Sequence, residues 1–291
     1  MKFFLTGLGN LYENAEPIMN GIIAADKHGF YGALMPDHYM WGDQIGHSMQ
    51  NPYVTLETWT FLTYIAAKTE NIHMGTLVTP LPFRHPGVLA KRLATLDNLS
   101  GGRVILGVGA GWSTVEFNGY SEWLGTKSRV DKTMEALDII TRLWTEDSVS
   151  HKSKYYTIEE AVLEPKPVQK PYPKLLFGSS GKRMLRLTGR MGDYCYIPPW
   201  QMQNAAEMKE TVLDAAEKAG RRDKVEFIGG MMGAMAPYDA KEYGKIVEMA
   251  ERTGATTCNI AFPRQTIVED IKKFASEVMP SYRARSAIPL S

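Results

Sequence analysis

The chain has 291 residues, 44% of them hydrophobic and 22% charged, with 33 Lys+Arg against 32 Asp+Glu. That is the make-up of an ordinary globular protein, and a net charge of +1 without clustered basic residues excludes a broad nucleic-acid or membrane surface. No apolar run approaches the ~18 residues of a membrane span. Cys195 and Cys258 have neither metal-ligand nor disulfide-framework spacing, so a reducing cytoplasm is the expected compartment. The start, MKFFLTGLGN, has too short an apolar core for a signal peptide and runs directly into Glu13 and Glu16; it reads as a strand.

In chain order, apolar and β-branched runs predict strands at 2–7, 30–35, 71–79, 103–109, 174–179, 193–197, 224–232 and 256–262. Helical periods fall between and after them, at 15–28, 55–68, 86–99, 128–144, 181–190, 203–219, 239–253 and 266–278. The first places Ile18, Ile22 and Ala25 on one face. The third opens with Pro86, suited to a first helical turn, and carries Val88, Leu89, Leu93, Leu96 and Leu99. The fourth carries Val130, Met134, Leu137, Ile140 and Trp144. Strict alternation of strand and helix calls for a parallel sheet with crossover helices. Eight such units in one chain fit a closed (β/α)8 TIM barrel, a single domain over 1–291, with a doubly wound open sheet as the alternative. Residues 145–172 break the rhythm. Four prolines in EPKPVQKPYP predict a loop or small hairpin, around KYYTI, inserted before strand five.

Barrel sites lie where the strands end. After strand two, PDHYMWGD brings Asp37, His38 and Trp41 together, a proton donor or acceptor or else a hydrogen-bonded structural histidine. After strand three, GTLVTPLPFRHP contains Thr76, Leu77 and Val78 and three prolines, a stiff turn able to lie under a flat ligand. Strand four ends in Gly107-Val-Gly-Ala-Gly111. A dinucleotide-binding turn would need glycine where Trp112 stands, and the acid about 20 residues on, Asp131, lies inside a helix. These glycines therefore read as a strand end that clears space for a ligand ring, or as a tight turn.

After strand five, FGSSGKR offers Gly178, Ser179, Ser180, Gly181 and Lys182 at a helix start, a phosphate seat or merely a capped helix. Its spacing is not that of a Walker loop. Arg264, after strand eight, is a second cation for an anionic tail or else a solvated loop charge. Without H-E-x-x-H, G-x-S-x-G or zinc-type Cys/His spacing, neither a metal site nor hydrolase chemistry is expected.

The run HPGVLAKRLATLDNLSGGRVILGVGAGW, residues 85–112, resembles the bacterial luciferase-like superfamily of flavin and deazaflavin oxidoreductases. The blocks PDHYMW, MGTLVTPLPFRHP, FGSSGKRMLRLTGRMGDY and ATTCNIAFPRQTIVEDIKKF complete the resemblance in family order over nearly the whole chain. It implies a luciferase-like TIM barrel, a cofactor ring at the strand-end mouth and usually a homodimer. It further implies a non-prolyl cis peptide at Leu77–Val78 behind the ring. The cofactor phosphate would be held by residues 178–182 and by the segment 196–200, which includes Ile197 and Pro198. His38 and Trp41 match the catalytic His and nearby Trp of deazaflavin-dependent alcohol and sugar-phosphate dehydrogenases. Trp112 stands where the sugar-phosphate enzymes carry Glu, which makes Glu116, one helical turn on, the candidate acid.

The expected protein is thus a coenzyme F420-dependent oxidoreductase moving a hydride between the deazaflavin and a small organic substrate. His38, Trp41 and Glu116 would carry the chemistry, with Trp112 and Met231 walling the pocket. Asp37, Thr76, Leu77, Val78, Gly109, Gly111 and Trp112 would meet the cofactor. The alternatives are an FMN-dependent monooxygenase fed by a separate reductase, and a non-catalytic flavin-binding barrel. Substrate choice falls to the loop at 42–54 and to the insertion, neither of which carries a readable motif.

Overall fold

The computed structural model describes residues 1–9, 15–41, 53–178, 180–231 and 237–283. The chain begins β1 (Lys2–Thr6), α1 (Glu16–Lys27), β2 (Gly32–Met35), α2 (Thr58–Ala66), β3 (His73–Thr76) and β4 (Thr79–Pro80). It continues α3 (Pro86–Ser100), β5 (Val104–Gly109), α4 (Thr114–Tyr120), α5 (Thr126–Thr145), β6 (Val149–Lys152) and β7 (Thr157–Ala161). The second half runs β8 (Lys174–Phe177), α6 (Lys182–Met191), β9 (Tyr194–Tyr196), α7 (Ala205–Lys218) and β10 (Glu226–Gly230). Last come α8 (Ala240–Arg252), β11 (Thr257–Ala261), α9 (Ile267–Glu277) and α10 (Met279–Arg283).

The parallel strands follow the order β3-β2-β1-β11-β10-β9-β8-β5, and β3 also pairs with β5. That last pairing closes the ring and eliminates the open doubly wound sheet, which would leave two strand edges unpaired. The short β4 lies beside the end of β5, with Thr79 opposite Val108 and Pro80 opposite Gly109. Each strand and helix expected from the sequence has its counterpart here, while α4 and α10 were not anticipated. The insertion is an antiparallel hairpin of β6 and β7, held to α5 where His151 Nε2 and Ser153 meet the Glu135 carboxylate. The proline-rich stretch after it contains cis bonds at Glu164–Pro165 and Lys170–Pro171.

Helix α3 shows how local chemistry sets an element's ends and its face. Pro86 opens it, and Gly101, in the left-handed region at φ 68°, closes it by bonding back to the Asn98 carbonyl. Its buried face is Leu89, Ala90, Leu93, Ala94, Leu96 and Asp97, whereas Val88 and Leu99, expected on that stripe, are exposed.

Strand alternation divides the core. Cys258 and Ile260 of β11 and Val104, Leu106 and Val108 of β5 face the helices, while Phe4, Leu34, Ile105, Leu176, Tyr194, Tyr196 and Ile228 fill the barrel. At the N-terminal end the interior is plugged. Lys2 pairs with Glu226 at 2.7 Å, Tyr31 stacks on His73, and the Tyr194 hydroxyl donates to that of Tyr31. With the stagger that closes an eight-stranded parallel barrel, residues on alternate strands form layers. Leu34, Gly107, Tyr196 and Asn259 make one layer, and Thr6, Leu77, Gly178 and Gly230 the next toward the mouth. The upper layer holds three small residues beside Leu77.

Both cysteines are free and buried, and burial pushes each thiol up to about 12. No helix among the described residues is long and apolar enough to cross a membrane.

Candidate active site

The chain leaving β2 carries Asp37 and His38 onto the mouth. His38 Nδ1 lies 2.8 Å from Glu116 Oε2, and the Tyr39 N–H donates to Glu116 Oε1 at 2.5 Å. The carboxylate therefore engages two consecutive residues of the β2 loop, and both His38 and Glu116 are buried. Glu116 reaches them because Ser113 caps α4 by accepting from the Glu116 N–H, which starts a helix where a loop was expected. The spacing Ser113-x-x-Glu116 is a capping-box signature that could have revealed this helix. Trp41 lies over the imidazole with ring centroids 4.0 Å apart, and Trp112 approaches it edge-on at 5.6 Å. Trp112 is half-exposed and forms the rim.

The Leu77–Val78 peptide is cis, and both residues pack against the apolar cluster inside the barrel. They crowd the glycines around them. A Cβ on Gly107 would stand 1.9 Å from the Thr76 carbonyl oxygen, and one on Gly109 would stand 2.4 Å from Val78 Cγ2. At these two positions the Cβ direction is filled by the neighbouring chain, so any contact of Gly109 with a ring would be made by its backbone. Gly178 faces Val78 from the other side, where a Cβ would lie 3.1 Å from Cγ1. Gly111, at φ 75°, gives room to Phe117 of α4 and seats the helix that carries Glu116.

A buried polar chain anchors this segment. The Thr76 hydroxyl lies 3.0 Å from that of Thr79, which donates to Asp37 Oδ2 at 2.7 Å. Arg84 Nη2 donates to Asp37 Oδ1 at 2.8 Å and to Glu57 Oε1 at 3.0 Å, and Asp37 holds that guanidinium's pKa above its ordinary value against the opposing, larger effect of burial. Asp37 and Thr76 were expected among the cofactor contacts. The structure turns both carboxylate oxygens of Asp37, and the Thr76 hydroxyl, into the protein instead. Removing the aspartate would leave the buried guanidinium with the partly exposed Glu57 as its remaining carboxylate, so Asp37→Ala is expected to lower stability by about 3 kcal/mol. A urea midpoint within error of wild type would contradict that role.

Helix α6 begins at Lys182 without a side-chain cap. Ser180 and Gly181 are exposed before it, and Lys182 pairs with Glu207 at 3.1 Å on the open surface. Ser179 and most of the 42–54 loop lie outside the described residues. Ile197 was expected in the phosphate-holding segment. Its side chain joins Leu185, Ala205 and Met208 between β9 and the helices, because strand alternation turns it outward while Tyr196 turns inward. Pro198 is buried beside it. Met231, expected on the pocket wall, packs against the helix-facing core. The Arg264 guanidinium lies against Gly9, near the mouth.

A protein-family model described as luciferase-like monooxygenase matches residues 5–262. The chain belongs to that family. Among the relatives of this luciferase-like chain is an F420-dependent glucose-6-phosphate dehydrogenase from Nakamurella multipartita, 32% identical over 204 residues, covering 69% of this chain and 58% of the relative. A protein of the same name from Beutenbergia cavernae is 35% identical over 237 residues, covering 80% of this chain and 67% of its own length. An FMNH(2)-dependent dimethylsulfone monooxygenase from Pseudomonas putida is 29% identical over 173 residues, covering 59% and 46%. The chain thus spans about three-fifths of the length of the curated relatives it matches first. The fold recurs in a monooxygenase from Streptomyces bottropensis, with a TM-score of 0.79 at 18% identity over 97% of this chain and 100% of the other. An F420-dependent secondary alcohol dehydrogenase gives 0.78 at 22% identity with the same coverage.

Proposed function

We propose that this luciferase-like chain is an oxidoreductase that uses coenzyme F420 to exchange a hydride with a small organic substrate, His38 handling the accompanying proton. The observation that carries it is the buried His38–Glu116 pair, clasped by Trp41 and Trp112 at the barrel mouth. The F420-dependent names of the relatives support the choice of coenzyme.

The residues present fit the group. Leu77 and Val78 offer a planar ring an apolar backing, and the uncapped N-terminus of α6 suits a phosphate. When bound, the coenzyme supplies the carbon that accepts or returns the hydride. With Nδ1 held by Glu116, His38 acts through Nε2, taking the hydroxyl proton of an alcohol as its carbon gives up the hydride. Glu116 fixes the ring's orientation and stabilises the imidazolium that forms. The two indoles exclude water and hold the substrate carbon in line, the orientation part of the rate enhancement.

A second reading, an FMN-dependent monooxygenase fed by a separate reductase, has the Pseudomonas putida relative behind it. Titrating the protein separately with F420 and FMN decides between them. F420 is expected to bind at least tenfold more tightly, and tight FMN binding without affinity for F420 would overturn the proposal. The active unit is taken to be a homodimer, supported by the exposed side chains of Tyr64 on α2 and of Val88 and Leu99 on α3.

A further inference from the structure

Two polar side chains inside the barrel stand apart from every hydrogen-bond network described above. The Tyr196 hydroxyl and both polar atoms of the Asn259 carboxamide are sealed from solvent and meet no hydrogen-bond partner. The residues are 2% and 0% exposed. Their polar neighbours differ. Thr257, two residues below Asn259, donates to Glu226, and Thr6 on the adjacent strand donates to the Met231 carbonyl.

Apolar residues of the same shape would pack equally well here, and unmade hydrogen bonds in a dry interior are costly. The ladder sets Tyr196 opposite Ile228 and Ile228 opposite Thr257, so the barrel stagger brings Tyr196 and Asn259 into one layer. Above that layer, toward the mouth, stand Thr6, Leu77, Gly178 and Gly230, three of them small.

We infer that Tyr196 and Asn259 form a polar floor that reads the inner edge of the bound ring. A carboxamide presents a donor beside an acceptor, and its complement is an edge on which a carbonyl stands beside an N–H, that is, a lactam or imide. The Tyr196 hydroxyl donates to a further carbonyl on the same edge. The inference rests on the cofactor reading above, and since deazaflavin and flavin both carry an imide edge it holds for either coenzyme.

The test uses Asn259→Leu and Tyr196→Phe, with dissociation constants for F420 and FMN and the thermal midpoint of the free protein. With the coenzyme that wild type binds, the leucine variant should bind at least tenfold more weakly, the factor that one hydrogen bond of about 1.4 kcal/mol represents. The phenylalanine variant should lose about three- to tenfold. Neither free protein should melt lower than wild type, because a group already without a partner is removed. Unchanged affinity in both variants overturns the floor. A lowered midpoint with unchanged affinity does so too, and identifies a sealed water as the partner. Should the leucine variant not fold, Tyr196→Phe, which removes one oxygen, decides alone. If wild type binds neither coenzyme, the cofactor reading fails and the floor falls with it.

Discussion

His38→Ala is expected to lower turnover by about 10²–10⁴-fold, the usual contribution of a positioned acid or base. The dissociation constant of the coenzyme should move by less than about threefold, since the imidazole is packed against Trp41, Trp112 and Glu116. The separation of the two effects is the informative part. A histidine that only braced α4 through Glu116 would, on removal, lower the melting temperature and leave the turnover of the folded fraction intact. Glu116→Gln provides the companion measurement. It keeps one acceptor oxygen, for either His38 Nδ1 or the Tyr39 N–H, and removes the charge that stabilises an imidazolium. Turnover should fall by about tenfold. Full activity in His38→Ala would end the proton-transfer role outright.

The largest structural effect is expected from a single added methyl group. Gly107→Ala would put a Cβ 1.9 Å from the Thr76 carbonyl oxygen and 2.6 Å from its carbon. Both are backbone atoms, so no side chain can swing aside. The seam between β3 and β5 must open, and that is the pairing that closes the barrel. A cost of about 3 kcal/mol, at the upper end for overpacking, corresponds to a fall of about 6–12 °C in melting temperature. Coenzyme affinity should drop as well, because Thr76 leads directly into the Leu77–Val78 segment. Gly125→Ala is the matched control, since a Cβ there meets nothing within 4 Å. Equal melting temperatures for the two variants would show that the crowding at Gly107 relaxes at no cost.

Much of the fold was legible because alternation of period-two and period-3.6 hydrophobicity is a local property. Eight runs such as KFFLT and VILGVG, separated by helical periods, leave few ways to bury both faces of a parallel sheet. His38 and Trp41 were legible too, since they directly follow a strand and so fall at the mouth of any barrel built from it. Helix α4 escaped notice because it is only seven residues long, and its one strong signal was the cap at Ser113 with Glu116 three residues on.

Other assignments turned on where a side chain points and what already fills the space beside it. Ile197 and Tyr196 are neighbours in sequence and face opposite layers. Gly107 and Gly109 read in sequence as clearance for a ligand, and in the fold they also give clearance to Thr76 and Val78, residues some thirty positions earlier in the chain. Asp37 sits beside the candidate histidine, yet both its oxygens are spent on Thr79 and Arg84.

By itself the sequence determined the succession of elements, the barrel they close into and the end of that barrel where chemistry belongs, since hydrophobic period and strand ends are written along the chain. Only the tertiary structure decided which polar atoms are satisfied and which are left over. Hydrogen-bond partners such as Glu116 for His38 and Arg84 for Asp37 lie 78 and 47 residues away, and the unpartnered state of Tyr196 and Asn259 is a property of the closed barrel alone.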